Sequence, residues 1–271
     1  MTTTAFDDHE RLQWADRAAA YQDSLASLCA QPAAALLDAA GVMAGTRLLD
    51  VGTGTGTVAA LACSRAAHVT AIDAEPSMLT LARRHAPDAD VRHATLPDLP
   101  FTEDSFDAAV ANFVINHVGD PAATLVELQR VVRPGGRIAV TIWPYPPPPA
   151  QRLWGQIFDA AGVERPLDLP RLAPDKDFSR TRDGLSELLH RAGLDDVRCD
   201  TITWIHRTDP EAWWNGPVNG IGATGALMRR QDPGTMERIR HQYEQHSTAY
   251  RDPDGRLALP TAALLASASV A

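Results

Sequence analysis

The sequence predicts an α/β fold in which helices cover both faces of a mostly parallel, seven-stranded sheet. Five short apolar runs between residues 47 and 143 are each bounded by turn residues. Helical stretches separate most of these runs, and such alternation is typical of a parallel sheet buried on both faces. The connections are short and must cross right-handed, which predicts a doubly wound, Rossmann-like sheet.

The first five predicted strands follow one another as apolar runs. They are Arg47–Val51, His68–Ile72, Asp90–His93, Phe106–Ala111 and Arg137–Trp143. Helical patterns lie between them. They cover Val58–Arg65, Pro76–His85 and Pro121–Val132, the last of which is ended by Pro134-Gly135-Gly136. Strand and helix therefore alternate through the first half of the chain.

The character of the chain changes after residue 143, because a cluster of prolines at 144–149 cannot continue a strand and predicts a stiff polyproline exit. A helix over Arg182–Ala192 and a strand over Val197–Ile205 then resume the sheet. A helical insertion bearing Trp213 and Trp214 precedes a last apolar run, Leu257–Ala268, which we interpret as the closing strand.

These patterns divide the chain into four predicted parts. They are an N-terminal helical cap over 1–45, a cofactor-binding core over 46–205 with a proline-rich segment at 144–180, a helical insertion over 206–255 and a closing strand over 256–271. All six tryptophans lie outside residues 15–142. They either pin helices onto the sheet or line a substrate pocket over its carboxyl edge.

Composition narrows the range of partners and compartments. The chain has 271 residues with 34 acidic and 25 basic ones, a net charge of −9 that disfavours nucleic acid or an anionic membrane surface as a partner. Three widely spaced cysteines favour the reducing cytoplasm. An acidic N-terminus and the lack of any run of 18 apolar residues predict neither a secretory signal nor a membrane span. The oligomeric state stays open, with a homodimer as one option.

The most informative segment is LLDVGTGTG at 48–56, an apolar strand with an acid near its end and glycines at alternate positions. Glycines of this kind let a ligand approach the backbone closely. A dinucleotide fingerprint counted from Gly52 would need a glycine where Thr57 stands, and Asp50 would bring a carboxylate near the pyrophosphate. A phosphate-binding P-loop fails as well, because no GKS or GKT follows.

A second acid, Asp73, ends the next predicted strand 23 residues after Asp50. Two strand-end acids suit a ligand with cationic groups and ribose hydroxyls but no phosphate, and S-adenosylmethionine is such a ligand. The alternative is that Asp50 caps a turn and Asp73 is a solvated loop acid. The joint occurrence of both acids on a strand, loop and helix frame favours the binding interpretation.

At this point the sequence resembles a known family, the class I S-adenosylmethionine-dependent methyltransferases, and within it the small-molecule branch with the ubiquinone and menaquinone biosynthesis enzymes. The resemblance runs from about residue 40 to 143 and more weakly over Arg182–Ile205. Four segments carry it: LLDVGTGTG, AIDAEPSML, LPDLPFTEDSFDAAVANFVINHVGDP and LQRVVRPGGRIAV.

The resemblance implies a set of cofactor-binding positions. It places the methionine portion against Gly52, Thr53 and Gly54, the ribose on Asp73, and the adenine between Ala74 and Met78. Asn112 lies beside the methionine and the sulfonium.

One departure from the family pattern concerns the adenine. The family usually has Gly-Asp where this chain has Ala94-Thr95, so that Thr95, followed by Leu96, offers a neutral contact in place of a charge-assisted one. We expect somewhat weaker binding of the same cofactor. In a predicted helix from Trp14 to Tyr21, Tyr21 matches a family habit of closing the site with an aromatic residue, or else it packs against the first helix.

The implied chemistry is in-line displacement, for which near-attack positioning and exclusion of water supply much of the catalysis. An acceptor that must lose a proton needs a base, and His117 is the best-placed candidate, although a histidine here also recurs in the family as a packing or hydrogen-bonding residue. His206 and Tyr250 are weaker candidates. The nine histidines show no HxH or HxxxH pattern, so no metal site is predicted.

We therefore expect a methyltransferase acting on a small organic acceptor, a specialised metabolite, enclosed by the N-terminal helix, the segment after the prolines and the insertion with Trp213 and Trp214. Two other functions stay open. One is a lyase or cyclase that binds S-adenosylmethionine without transferring its methyl group. The other is a nicotinamide-dependent oxidoreductase, which the glycine frame disfavours.

Overall fold

A seven-stranded sheet forms the centre of the computed structural model, which describes residues 4–165 and 170–271. The strand order is β3-β2-β1-β4-β5-β7-β6, and β7 runs in the direction opposite to that of the other six strands. The strands are β1 (Arg47–Val51), β2 (His68–Asp73), β3 (Asp90–His93), β4 (Phe106–Asn112), β5 (Val132–Ile142), β6 (Asp195–Thr208) and β7 (Leu257–Ser269). The predicted doubly wound, mostly parallel sheet is confirmed.

Helices flank this sheet and cover its carboxyl edge. In the described part of the chain they are α1 (Ala5–Trp14), α2 (Ala18–Ser24), α3 (Ala26–Cys29), α4 (Ala33–Ala39), α5 (Thr57–Ser64), α6 (Pro76–His85), α7 (Pro121–Val131), α8 (Pro149–Ala160), α9 (Arg182–Arg191), α10 (Pro210–Val218), α11 (Gly222–Met228) and α12 (Pro233–Ser247). None of the described helices has the length and apolar character needed to cross a membrane. The predicted cap and proline-rich segment extend over residues 1–3 and 166–169, which lie outside the described residues.

The junction between α7 and β5 differs from the prediction. The helix ends at Val131, before the Pro-Gly-Gly turn, because Val132 already pairs with Phe106 in the sheet. The pairing then shifts to Ala108 with Arg137, so that the turn residues lie within an irregular start of β5. Gly136 is required there, since a Cβ atom at this position would lie 2.6 Å from the carbonyl oxygen of Asp107.

The predicted helix from Trp14 to Tyr21 is wrong. Trp14 is the last residue of α1 and Tyr21 lies in α2. Ala15 leaves the helical conformation, with φ −54° and ψ 125°, and Asp16 has a positive φ of 58°. A non-glycine residue in this left-handed region marks a turn, and here the turn gives α1 a direction of its own.

The proline cluster ends β5 as predicted, but residues 143–148 form an irregular segment with a bend at 145–146 in place of the predicted stiff polyproline exit, and the last proline does not belong to that segment. Pro149 is the first residue of α8. Proline is tolerated at this position because the first N–H of a helix has no intrahelical acceptor and φ is already fixed near the helical value. The prolines therefore lead from β5 into a helix that packs over the carboxyl edge of the sheet.

Three apolar clusters hold these layers together. One lies between the sheet and α7 and α9, and a second lies between the opposite face and α4 and α5. The third is aromatic and joins α8, α10 and α12 to the first residues of β7. It contains Trp154, Trp213, Trp214 and Tyr243, which places the large aromatic residues beside the sheet's carboxyl edge.

Gly56 sets the spacing between α5 and α6 and provides a test of this packing. It has φ 88°, and a Cβ atom there would lie 2.9 Å from the Cα atom of Ala82. We expect Gly56→Ala to lower the free energy of unfolding by about 1 to 3 kcal/mol more than Gly45→Ala. Gly45 is a matched control, because it has φ 81° with no atom within 4 Å of its added Cβ. Urea denaturation of both variants measures the difference, and equal losses would contradict the steric argument.

Candidate active site

A cavity of about 830 Å³ lies over the carboxyl ends of β1, β2 and β4. Helices α1, α2, α8 and α10 close it from above and from the side. Parallel sheets of this topology bind ligands at this edge, where the strand order reverses. The cavity is therefore the first place to look for the predicted site residues.

The loop after β1 turns sharply on Gly52 and Gly54, which have φ values of 61° and 56°. It is pressed against the segment after β4, because a Cβ atom on Gly52 would lie 2.5 Å from Cγ2 of Val114. The Thr53 N–H donates to the carbonyl of Ile72 at 2.9 Å, which ties the loop to β2. Both glycines line the cavity and leave their backbone open to a ligand.

Asp73 joins the two loops that follow β1 and β2. Its Oδ2 accepts the N–H of Gly54 at 2.8 Å, and its Oδ1 accepts the N–H of Glu75 at 2.9 Å. Burial raises the pKa of Asp73, while these two N–H groups act in the opposite direction. Each oxygen keeps a second lone pair, so the carboxylate can still accept a pair of ligand hydroxyls.

Asp50 and Thr53 lie beneath the glycine loop, outside the cavity lining. Thr53 donates its hydroxyl to Oδ2 of Asp50 at 2.6 Å, and the carboxyl group is buried. Burial, helped by the neighbouring charge of Asp73, raises the pKa of Asp50 to about 7. Asp50 therefore supports the loop from below through Thr53 and does not itself line the cavity.

The predicted adenine residues line one end of the cavity. Ala74 follows Asp73, Met78 is buried in α6, and Thr95 and Leu96 follow β3. This end is mainly apolar, as a flat heterocycle requires. The role of each of these residues stays a prediction.

Asn112 lies at the end of β4 and lines the cavity, but its amide group is already used. Its Nδ2 donates to the carbonyl of Cys29 at 2.9 Å, and its Oδ1 accepts the hydroxyl of Thr141 at 2.6 Å. Asn112 thereby fastens α3 to the sheet. Phe113 follows with a positive φ of 59° and stacks on Trp143 at 3.9 Å between ring centroids.

Tyr21 is placed against the glycine loop, since a Cβ atom on Gly54 would lie 3.7 Å from its Cε1. Its ring is edge-on to Trp14, with centroids 5.9 Å apart. Burial and the neighbouring Cys29 thiol raise the pKa of Tyr21 well above its ordinary value, and burial raises the pKa of Cys29 to about 12. Both groups therefore remain protonated at neutral pH, and Tyr21 can donate a hydrogen bond.

His117 lines the cavity and meets α1. Its Nδ1 lies 2.7 Å from Oε2 of Glu10, and its ring is edge-on to Trp14 at 5.5 Å. The weaker candidates are elsewhere. His206 is buried against Trp213, where burial lowers its pKa to about 4, and Tyr250 packs against the aromatic cluster.

The remaining wall of the cavity consists of three tryptophans and two leucines, and we call it the aromatic lobe. Its residues are Leu25, Leu28, Trp143, Trp154 and Trp213. The insertion that was predicted to help enclose the acceptor contributes one of its two adjacent tryptophans to this wall. Trp213 lines the cavity, whereas Trp214 is packed against Tyr243 at 5.1 Å with the guanidinium of Arg240 over its ring. Neighbouring residues in a helix point about 100° apart, so only one of the two can face the cavity.

Three residues of this site escaped the sequence analysis. Glu10, Cys29 and Thr141 each act through a contact with a residue far away in the chain. The capping pattern of Thr4 and Asp7, which begins α1, was the one local signal that could have pointed to Glu10. No group of three or more potential metal ligands occurs among the described residues.

Known proteins resemble the chain in the region that builds the glycine loop. A family model described as a methyltransferase domain matches residues 49–140. The demethylmenaquinone methyltransferase of Clavibacter sepedonicus is 44% identical over 113 residues, which cover 41% of this chain and 46% of the relative. The chain thus spans about half the length of that relative. The demethylmenaquinone methyltransferase of Beutenbergia cavernae is 37% identical over 178 residues, 62% of this chain and 74% of the relative. The chain belongs to the class I S-adenosylmethionine-dependent methyltransferases.

Solved structures share the fold of this chain at low sequence identity. A phosphoethanolamine N-methyltransferase of Haemonchus contortus, solved with S-adenosylhomocysteine, is 15% identical with a TM-score of 0.54, covering 98% of this chain and 60% of the other. The [4+2]-cyclase SpnF is 19% identical with a TM-score of 0.51, covering 89% and 81%. These likenesses show the fold alone.

S-adenosylmethionine is the cofactor of this family, and the residues of this chain fit it. The bare backbone at Gly52 and Gly54 leaves room for close approach, and the Asp73 carboxylate has free lone pairs aimed at the same cavity. The buried Asp50 and the half-buried Asp73 suit a ligand with cationic groups. Asp73 would hold the ribose hydroxyls, and Ala74 and Met78 would flank the adenine.

The ribose role of Asp73 can be tested by calorimetry with S-adenosylhomocysteine. We expect Asp73→Ala to weaken binding by about 1.5 to 3 kcal/mol, the range for charge-assisted hydrogen bonds. Asp73→Asn, which keeps one acceptor oxygen for the loop, should weaken it as well. Asp88→Ala is the control, since Asp88 is an exposed acid outside the cavity lining. Unchanged affinity in both Asp73 variants would reject the role.

The buried Asp50 should make stability depend on pH. Its pKa is about 7 in the folded protein and near 4 in the unfolded chain, so the folded state retains a proton that the unfolded state releases. The stability contributed by this group therefore falls as pH rises from about 4 to 7 and is level above 7. We therefore expect the free energy of unfolding of Asp50→Asn, measured relative to that of the wild type, to be roughly 3 kcal/mol higher at pH 8 than at pH 5. Urea unfolding at both pH values measures this, and parallel changes in both proteins would contradict it.

Proposed function

We propose that this protein transfers the methyl group of S-adenosylmethionine to a small, largely apolar organic acceptor. One observation carries the proposal: a single cavity joins the strand-end loops to the aromatic lobe. A methyl donor held over the loops would face an acceptor held in the lobe. Enclosure of both reactants in one space is the geometry that in-line displacement needs.

The lining of the lobe supports an acceptor with a flat, apolar body. Trp143, Trp154 and Trp213 present aromatic surface, and Leu25 and Leu28 complete the wall. Aromatic side chains favour stacking with planar ligands. Two relatives are named for demethylmenaquinone, a small organic acceptor, which supports the same class for this chain. The net charge of −9 disfavours nucleic acid.

The residues of this chain act mainly by positioning and by excluding water. Helix α1 covers the cavity, with Trp14 and Tyr21 packed edge to face above the glycine loop. The bound cofactor supplies an activated methyl group, and the protein holds the acceptor atom in line with it. His117 is the candidate base for an acceptor that must lose a proton.

The metabolic role and the compartment of the enzyme are also part of what we propose. We assign the enzyme to specialised metabolism in the cytoplasm, because its acceptor lobe is built by residues outside the matched methyltransferase domain and its three cysteines are free. A homodimer is compatible with this assignment. A cyclase using the same fold is the second class of function, since fold does not fix reaction.

Formation of S-adenosylhomocysteine tests the proposal directly. We expect incubation with S-adenosylmethionine and a panel of flat aromatic hydroxyl and amine compounds to yield S-adenosylhomocysteine in equal amount with a methylated product. S-adenosylhomocysteine should also raise the melting temperature, as a ligand of the folded state must, whereas NADH should not. An acceptor converted without S-adenosylhomocysteine would instead support the cyclase, and stabilisation by NADH alone would support an oxidoreductase.

The role of His117 as a base has a separate test. We expect His117→Ala to lower turnover by about 100-fold or more, the contribution typical of a general base, while binding of S-adenosylhomocysteine stays within about twofold of the wild type. His190→Ala is the control, because His190 is exposed at the end of α9. Full turnover in His117→Ala would remove this residue as the base.

A further inference from the structure

One face of α1 is fitted to the short segment that carries His117. Asp7, Glu10 and Trp14 are spaced at i, i+3 and i+7 and so share that face. Asp7 Oδ1 accepts the N–H of Gly119 at 2.6 Å, Glu10 meets Nδ1 of His117, and Trp14 lies edge-on to the same imidazole. A Cβ atom on Gly119 would overlap with Thr4 and Asp7, so the close fit requires glycine.

The carboxylate of Glu10 is held more firmly than a surface ion pair. Its Oε2 lies 2.7 Å from Nδ1 of His117, and its Oε1 accepts the side-chain amide of Gln13 at 3.2 Å. The Glu10 side chain is 14% exposed, whereas that of Asp8, two residues earlier and on the solvent side of the same helix, is 64% exposed. Both oxygens are therefore engaged, and the carboxylate has a fixed direction.

Other charged groups at this end of the cavity have partners of their own. The Asp7 carboxylate accepts the N–H groups of Gly119 and of the N-cap residue Thr4, and Asp120 pairs with Lys176 at 3.1 Å. Arg11 pairs with Asp8. Among the charged groups named here, the His117 imidazole differs in one respect. Its Nδ1 is bound to Glu10, and its second nitrogen, Nε2, is left for a substrate.

We infer that Glu10 is a positioning residue for His117, and that the acceptor presents the acidic hydroxyl of a phenol or an enol to this pair. The inference rests on the proposed methyl transfer and deepens it. Glu10 accepts the Nδ1–H of the neutral imidazole, which fixes the tautomer whose Nε2 is a bare proton acceptor. The hydrogen bond made by one ring nitrogen sets the state of the other.

Proton transfer, formation of the new bond and cleavage of the old bond occur together in one step. The acceptor hydroxyl gives its proton to Nε2 of His117, its oxygen forms a bond to the methyl carbon, and the carbon–sulfur bond breaks with its electron pair left on sulfur. The products are a methyl ether, neutral S-adenosylhomocysteine and an imidazolium, whose charge the Glu10 carboxylate stabilises. Water then takes the proton from the imidazolium.

The class of acceptor follows from this proton transfer and from the lobe. A phenolic hydroxyl has a pKa near 10, within reach of an imidazole in a positioned complex, and it brings a planar ring. The lobe supplies planar apolar surface at Trp143, Trp154 and Trp213. A neutral amine can attack without prior loss of a proton and does not require the pair.

The tautomer of His117 provides a test that needs no acceptor. Nitrogen NMR of the full chain at pH 9 should show the proton of His117 on Nδ1 in the wild type. We expect Glu10→Ala to shift it toward Nε2, and Glu10→Gln, which still offers an acceptor oxygen, to retain it on Nδ1. Asp8→Asn is the matched control on the exposed side of the same helix and should leave the signal unchanged. A wild-type proton on Nε2, or no change in Glu10→Ala, would overturn the inference.

Turnover with 2-naphthol and with 2-naphthylamine as probes separates the two proposals. We expect Glu10→Ala to lower methylation of the naphthol about tenfold or more, with partial rescue in Glu10→Gln, and to leave binding of S-adenosylhomocysteine within about twofold. Equal turnover of naphthol in wild type and Glu10→Ala, or methylation of the amine alone, would overturn the inference while the methyltransferase proposal stands. Failure of the wild type to bind S-adenosylhomocysteine would instead reject the proposed function.

Discussion

The carboxylate of Asp73 organises the cofactor end of the molecule. It receives the backbone N–H of Gly54 from one loop and that of Glu75 from the next, so a single side chain sets the distance between the ends of β1 and β2. Hydrogen bonds to a charged acceptor are stronger than those between neutral groups. These bonds help to keep Gly52 and Gly54 in their left-handed conformations. The wall on which the nucleoside is expected to lie is thereby shaped by hydrogen bonds within the protein.

Two acids lie at this end, the buried Asp50 and the half-buried Asp73. Burial raises the pKa of Asp50 to about 7, with a smaller contribution from the charge of Asp73, and burial also raises the pKa of Asp73. A cationic ligand relieves both effects. The opposite end of the cavity is apolar, with tryptophan surface in place of charge. The cavity thus offers different environments to the charged donor and the flat acceptor that we propose, which would favour binding of both in one orientation.

Local sequence pattern predicts the correct elements where it agrees with the tertiary structure. The strands at 47–51 and 90–93 and the helix at 76–85 have the predicted bounds, because apolar period, proline and glycine all indicate the same limits. It fails where a single backbone angle decides, as at Asp16, whose positive φ separates Trp14 from Tyr21. It also fails for contacts between distant residues. No local pattern relates Glu10 to His117, since their contact exists only once α1 lies across the loop after β4.

The two walls of the cavity come from different stretches of the chain. Residues 49–140, which match the methyltransferase domain, contribute the loops and His117, whereas Glu10, Trp154 and Trp213 lie before and after that stretch. The residues of the two walls can therefore change independently during evolution. A recombination that exchanged the flanking pieces would alter which compounds are recognised and leave the donor unchanged. Laboratory evolution could use the same arrangement. Variation would be confined to the stretches before and after residues 49–140, and residues 49–140 would be kept unchanged.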